Sequence, residues 1–315
     1  MKIIVAGGLG SIGKVVVKEA HKRGYEVTVL EIKNSKTKKA AKVYKKYYKE
    51  IIWSDIRDIK PLVANINDKE IIINLIALIP PKSEENITST HDINVKGLEN
   101  IINAIILSRR HIKLIHISAI SVIGDTQAQE APIIIDAPYN KLDIYSETKI
   151  TCEQMLDISK VDWCILRPTL VLKRNYYEAI DMINTLVNFP LNNRIETIVD
   201  VDLATAILNV AEIMKTNSKL IHKKLFIGGG EKNGHWHIHK ELVKDICNSV
   251  RINMPEKKSF NTNKQYCDWV DSSEAQKLLN YQNMSFKQYI EELKINKKYS
   301  FTCIGYFLRT LKRSE

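Results

Sequence analysis

The chain is poor in cysteine and has no long hydrophobic run. Five cysteines stand in 315 residues: Cys152, Cys164, Cys247, Cys267 and Cys303. The number is odd and no two of them form a C-x-x-C pair, so a reduced, cytoplasmic protein is expected. The most apolar stretch, Ile71–Ile79, is broken by Asn74 and is far too short to span a bilayer. The opening MKIIVAGG has no long apolar segment before a cleavage site, so no signal peptide is expected. With 12 glycines, 44% hydrophobic and 26% charged residues, the composition excludes collagen, coiled coil and wholesale disorder. There is no internal repeat and no low-complexity linker.

What is present is an excess of positive charge. Lys and Arg number 47 against 36 Asp and Glu, a formal charge of +11. Such an excess attracts nucleic acid, anionic lipid or a phosphorylated substrate. Here Ile, Lys and Asn are frequent throughout, so the excess reads as compositional drift. No basic run reads as carrying the interleaved aromatics of a single-strand binder, and no nucleic-acid partner is expected. The length allows about two domains, or one large α/β unit with a core that needs no staples.

The first half alternates apolar strands with helical patterns. Strands are expected at Lys2–Ala6, Glu26–Leu30, Glu50–Trp53, Glu70–Leu75, Ile112–Ile117 and Trp163–Leu166. Helices are expected at Ser11–Arg23, Lys36–Tyr48, Asp92–Ser108 and Tyr139–Ile158. This order predicts an α/β fold, a Rossmann-type doubly wound parallel sheet. Runs such as IIINL are apolar without alternation, as in strands covered on both faces. Beyond Arg167-Pro168 the pattern loosens. Helices are expected at Tyr176–Val187, Asp200–Met214 and around His237–Val250, with a strand at Lys224–Ile227 that ends in Gly228-Gly229-Gly230. The expected organisation is a dinucleotide-binding domain over 1–166, with 196–229 returning to it. A smaller, mainly helical C-terminal substrate domain takes 167–195 and 230–298, and a basic amphipathic tail takes 299–315.

Gly7, Gly10 and Gly13 stand three apart in AGGLGSIG, after a strand and into a helix. Glycines let the chain turn tightly and let a pyrophosphate approach. The helix start supplies free N–H groups and a positive dipole end. Glu31, at the end of the second strand, suits the ribose hydroxyls and repels a 2′-phosphate, which favours NAD over NADP. Tyr145 and Lys149 share one helix face at i and i+4. A cation beside a phenol favours the phenolate, so Lys149 is expected to lower the Tyr145 pKa and to hold the nicotinamide ribose.

Together these pieces resemble an extended short-chain dehydrogenase/reductase, the NAD-dependent epimerase/dehydratase family. The matching segments are AGGLGSIG, SDIRD around Asp55, NLIAL at Asn74–Leu78, NVKG at Asn94–Gly97, HISAISVIG at His116–Gly124, the Tyr145/Lys149 pair and LRPT at Leu166–Thr169. DVDLATAI and DSSEAQKLLNYQ match further on. The resemblance implies an NAD-dependent oxidoreductase or epimerase acting on a nucleotide sugar by hydride transfer. It implies cofactor contacts from Gly7, Gly10, Ser11, Ile12, Gly13, Glu31, Asp55, Ile56, Leu75, Ile76, Ala77, Asn94, Ile117, Tyr145, Lys149, Arg167 and Pro168. A homodimer is expected.

The sequence departs from the family at the third catalytic group, a Ser or Thr after the fifth strand. Ala119 falls at that place, so Ser121 or Ser118 is expected to take the role, with Ser121 on the same face as Ala119. Ala119-Ile120 also fill the places where a dehydratase carries its added acid–base pair, which argues against dehydration. HISA with NLIAL and LRPT likewise resembles the NAD(P)-binding accessory subunit of respiratory complex I, so a binding subunit without turnover is the alternative. His235 and His239 would share a helix face, but no acidic or Cys partner is near and no metal is expected. Arg174 and Arg194 are candidates for a sugar diphosphate. The tail could lie on an anionic membrane surface or pack as a terminal helix.

Overall fold

The computed structural model describes residues 1–263 and 268–295. Its strands are β1 (Lys2–Ala6), β2 (Glu26–Glu31), β3 (Glu50–Trp53), β4 (Ile71–Asn74), β5 (Lys113–Ile117), β6 (Trp163–Pro168), β7 (Leu170–Leu172), β8 (Arg194–Val199), β9 (Lys223–Ile227) and β10 (Trp236–Ile238). Seven of them form one parallel sheet in the order β3-β2-β1-β4-β5-β6-β9. The order reverses between β1 and β4, and this switch opens a crevice beyond the carboxyl ends of the strands.

Both faces of the sheet are buried, which explains the unbroken apolar runs. Ile3 and Val5 of β1 pack with Val16 and Val17 of the Ser11–Lys22 helix and with Leu203 and Ile207 of the Asp200–Thr216 helix. Ile4 and Ala6 face the opposite layer, with Leu98 and Ile101 of the Gly97–Ser108 helix and Cys152 and Leu156 of the Ile144–Asp157 helix. The Ile144–Asp157 helix starts at Asp143, whose side chain accepts from Ser146 N in a reciprocal capping box. This fixes where Tyr145 enters the helix.

The remaining strands make a second sheet of order β10-β8-β7, with β8 parallel to β7 and antiparallel to β10. Leu172, Ile183, Phe189, Ile246 and Tyr289 build a separate core against it. So the mainly helical second part also holds a small sheet. Two of its strands have three residues each, and their pairing is tertiary, with no local pattern to reveal it. The helix expected from His237 begins only at His239, because Trp236–Ile238 pair with Arg194–Glu196.

The basic segment also needs a correction. Lys42–Lys49 does interleave lysine with tyrosine. Tyr48 is buried, and Tyr44 and Tyr47 pack against the core, so these rings hold the segment down on the domain. Cys152, Cys164 and Cys247 are buried free thiols. Among the described residues, no helix is long and apolar enough to cross a membrane. The expected 299–315 tail, Cys267 and Cys303 lie outside the described residues.

Candidate active site

The glycine loop closes over the end of β1. Gly7, at φ +78°, donates its N–H to Leu30 O at 2.9 Å, and Gly10 N–H bonds back to Gly7 O at 3.0 Å. A Cβ at Gly13 would stand 2.1 Å from Gly7 O, so no larger residue lets the helix pack so close to the loop. The Ser11–Lys22 helix starts at Gly10 without a side-chain cap, which leaves its first N–H groups for an anion. Glu31 folds onto this loop: Oε2 accepts from Leu9 N at 3.0 Å and Oε1 from Ile32 N at 3.2 Å. Burial raises its pKa, and these two N–H groups oppose the rise. The loop therefore fits a dinucleotide, and the Glu31 carboxyl borders it.

A second acid reaches the loop from elsewhere in the chain. Ser11 Oγ donates to Glu178 Oε2 at 2.7 Å, and Lys14 Nζ stands 3.2 Å from Glu178 Oε1. Burial works to raise Glu178, but Ser11 and the charge of Lys14 outweigh it and hold the carboxyl below its ordinary value. The sequence carries no local signal for this contact.

The other expected cofactor residues divide into those that line the crevice and those that build its walls. Gly7, Gly10, Ser11, Ile12, Gly13, Leu75, Ala77, Ile117, Tyr145, Lys149 and Pro168 surround one cavity of about 400 Å³. Ile76 packs on Gly7, and its N–H bonds to Asn74 Oδ1 at 3.1 Å. Asn94 is committed to the chain itself, accepting from Leu78 N at 2.7 Å and donating to Leu78 O and Thr148 Oγ1. It pins the loop after β4. Asp55 is clamped by Arg57, at 2.6 Å from Nη2 and 3.0 Å from Nε, which holds its carboxyl below the usual range. Ile56 packs against Gly97, where a Cβ would stand 2.9 Å from its Cγ2.

Lys149 is buried and donates from Nζ to Ile117 O at 2.7 Å. Its Nζ lies 5.7 Å from the Tyr145 ring centroid. The Tyr145 phenol has no hydrogen-bond partner among the described residues. The expected lowering of its pKa is not seen here: burial pushes the phenol up, with Asp143 and Cys152 adding to the rise. Burial likewise pushes the Lys149 ammonium down.

The two candidate serines have different surroundings. Ser118 Oγ donates to Glu153 at 2.5 Å, and that carboxylate also receives Arg167 through Nε at 3.0 Å and Nη2 at 2.7 Å, and the Tyr139 hydroxyl at 3.0 Å. Arg167 Nη1 donates to Ile135 O at 2.9 Å. Ser118 thus lines the cavity with its hydroxyl committed to the buried Glu153–Arg167 ion pair. Ser121 is fully buried in the turn Ile120–Ile123, lines the cavity, and its hydroxyl has no partner. Ala119 lines the same cavity.

On the far side the cavity is walled by β7 and β8. Thr169, Lys173 and Glu196 line it, and sequence reasoning singled out none of them as a site residue. Thr169 is buried with an unpartnered hydroxyl. Glu196 is buried, and no cation pairs with it among the described residues. Its oxygens accept Gly230 N at 3.0 Å and Val270 N at 2.9 Å, and burial pushes its pKa up to about 8. Arg194 instead grips Asp268 at 2.7 Å and 2.9 Å, and Arg174 pairs with Asp200 at 2.6 Å. His235 and His237 both meet Thr197 Oγ1, at 2.7 Å and 3.1 Å, since a strand puts residues two apart on one face. His239 turns instead to Pro190 O at 3.1 Å.

Residues 3–182 match the model of the NAD dependent epimerase/dehydratase family. A UDP-glucose 4-epimerase from Lactobacillus helveticus is 29% identical over 160 residues, 50% of this chain and 46% of that protein, so the match spans about half of each. UDP-glucose-4-epimerase from Stenotrophomonas maltophila, with bound NAD and formylated UDP-arabinopyranose, superposes with a TM-score of 0.81 at 15% identity, over 96% of this chain and 99% of that one. UDP-glucuronic acid 4-epimerase from Bacillus cereus, in complex with UDP-glucuronic acid and NAD, gives a TM-score of 0.75 at 18% identity, over 95% and 99%.

Proposed function

The chain belongs to the NAD dependent epimerase/dehydratase family, and from that premise we propose that it is an NAD-dependent oxidoreductase or epimerase of a nucleotide sugar. The observation that carries this reading is one cavity bordered by the glycine loop, by Tyr145 and Lys149, and by the unpartnered hydroxyl of Ser121. The curated relative and the structural neighbours, which act on or hold UDP-sugars, support the substrate class.

The loop glycines and the uncapped start of the Ser11–Lys22 helix would hold the pyrophosphate, and Glu31 the ribose. When bound, NAD supplies the hydride acceptor and donor. Tyr145 takes the proton of the reacting sugar hydroxyl as that carbon is oxidised, and gives it back as the carbon is reduced. For this the phenol must first be a phenolate. Its raised pKa in this structure therefore has to fall in the working state, and Lys149 is the cation placed to bring that about. Ser121 donates a hydrogen bond to the same sugar oxygen and steadies charge that builds on it. Ser118 also borders the cavity, but its hydroxyl is given to Glu153, so it supports the β5 end.

A second reading, a dinucleotide-binding subunit without turnover, draws on Ala119 at the place of the family hydroxyl. One experiment separates the two. Cofactor released from purified protein is identified by mass, and the protein is then incubated with UDP-glucose, UDP-galactose and UDP-glucuronic acid. Conversion that is abolished in Tyr145→Phe, with cofactor still bound, supports the enzyme. Bound NAD with no conversion of any sugar supports the binding subunit.

A further inference from the structure

One feature of the cavity is left unused by this chemistry: the Gly228-Gly229-Gly230 segment after β9 and the buried acid it encloses. A Cβ at Gly228 would stand 2.0 Å from Glu196 Oε1, and Gly230 gives its N–H to the same oxygen at 3.0 Å. Val270 N binds the other oxygen at 2.9 Å. The glycines thus make room for a carboxyl that two backbone N–H groups hold and that no cation pairs among the described residues. Burying such a group without a cation is unfavourable, and an apolar residue would be cheaper for the fold. Arg194 is engaged with Asp268 and Lys224 with Asp157.

Glu196 also has a neighbour of the same kind. In the β7–β8 ladder, Leu170 is paired with Thr197. Thr169 and Glu196 each stand one residue before that first pair. Both line the cavity, and both are at least nine-tenths buried. The Thr169 hydroxyl has no partner, while its N–H is satisfied by Ile227 O at 3.1 Å. A buried hydroxyl without a partner and a carboxyl with spare lone pairs on the wall of one cavity are a poor arrangement for a core and a good one for a polar ligand. Apolar side chains, Leu170, Val171, Met182 and Ile195, fill much of the wall around them, with Lys173, Thr185 and the Arg194-paired Asp268 at other points. Such a wall selects a ring that carries few, well-placed hydroxyls.

We propose that Thr169 and Glu196 form a hydroxyl-recognition subsite that binds the hexose ring of the substrate and decides which sugar is accepted. The inference rests on the nucleotide-sugar reading above. Thr169 donates to, or accepts from, a ring hydroxyl, and Glu196 holds the same or the adjacent one. Neither takes part in proton transfer at the reacting carbon, which belongs to Tyr145. The pair acts on binding and so discriminates between sugars, since an analogue lacking the matched hydroxyl leaves both groups unpaired.

The test measures the affinity of NAD-loaded protein for UDP and for UDP-glucose, in the natural chain, Thr169→Val, Thr169→Ser and Glu196→Gln. The natural chain is expected to bind UDP-glucose more tightly than UDP. Thr169→Val should lose about tenfold in affinity for UDP-glucose and nothing for UDP, and Thr169→Ser should restore it. Glu196→Gln should likewise act only on the sugar. NAD affinity in the same samples reports an intact fold. If Thr169→Val and Glu196→Gln bind UDP-glucose like the natural chain while that chain converts UDP-sugars, the subsite is wrong and the enzyme reading stands. If the natural chain shows no preference for UDP-glucose over UDP, the subsite is wrong as well. If it binds neither UDP nor UDP-glucose, the nucleotide-sugar reading falls with it.

Discussion

Glu196 should make this protein lose stability as pH rises, and Glu196→Gln should remove that slope. The carboxyl titrates at about 8 in the fold and near 4.5 in the unfolded chain. Between those values the native state keeps a proton that the unfolded state has released. Stability from this group is therefore intact below the unfolded value and is lost progressively as pH climbs toward 8. Integrating the two titrations from pH 5 to pH 8 gives a loss of about 3.5 kcal/mol, an order-of-magnitude figure. The glutamine variant keeps the shape but presents an amide to two backbone N–H donors, so it should start about 1–3 kcal/mol less stable at pH 5. The assay is denaturant unfolding at half-unit pH steps, with the natural chain and the variant in parallel. Other titrating groups, such as His237 held down to about 3 and His239 to about 4, act equally in both proteins and cancel in the difference. The two curves should converge as pH rises and cross before pH 8. Curves that stay parallel within about 0.5 kcal/mol would refute the claim that Glu196 is a buried carboxyl without a counter-charge.

Three further outcomes follow from the same geometry. Arg167→Met strands Glu153 in the core and should cost about 3–5 kcal/mol in denaturant unfolding, while the double change with Glu153→Leu should recover most of it; a double variant no better than the single one contradicts the pairing. Glu178→Gln removes a carboxylate from the mouth of the phosphate loop and should tighten NAD binding about three- to tenfold in a fluorescence titration. Unchanged or weaker binding would mean that the Ser11–Glu178 contact belongs to the cofactor-bound arrangement. Gly13→Ala forces a methyl group to within 2.1 Å of Gly7 O and should abolish NAD binding, with a lowered Tm; near-natural affinity would count against the close packing of helix on loop.

Much of the dinucleotide half was legible in the sequence because its signals are local. β1 is followed at once by the glycine loop, and IIINL reads as a strand covered on both faces. Tyr145 and Lys149 are four apart on one helix, so their shared face needs no tertiary information. The second half was harder to read for a physical reason. β7 and β10 have three residues each, and they exist only because β8 lies between them. The histidine row was read with a helical period, and a strand period applies. Thr169 was visible only as the last letter of LRPT, and Glu196 as one acid in RIETIV. Nothing in their neighbours reveals that one hydroxyl stays unpartnered or that one carboxyl is enclosed by distant glycines. The lowered Tyr145 pKa was argued from Lys149 alone. It left out burial, which raises the phenol and lowers the ammonium in this structure.

The central claim is that one cavity brings a dinucleotide, a proton-transferring tyrosine and a sugar together. The most direct test is single-turnover spectroscopy of the NAD-loaded protein mixed with UDP-glucose, following the near-ultraviolet absorbance of reduced nicotinamide. The account predicts a transient rise in the natural chain that is lost in Tyr145→Phe and slowed in Ser121→Ala. No transient with any UDP-sugar, from protein shown to hold NAD, would contradict it.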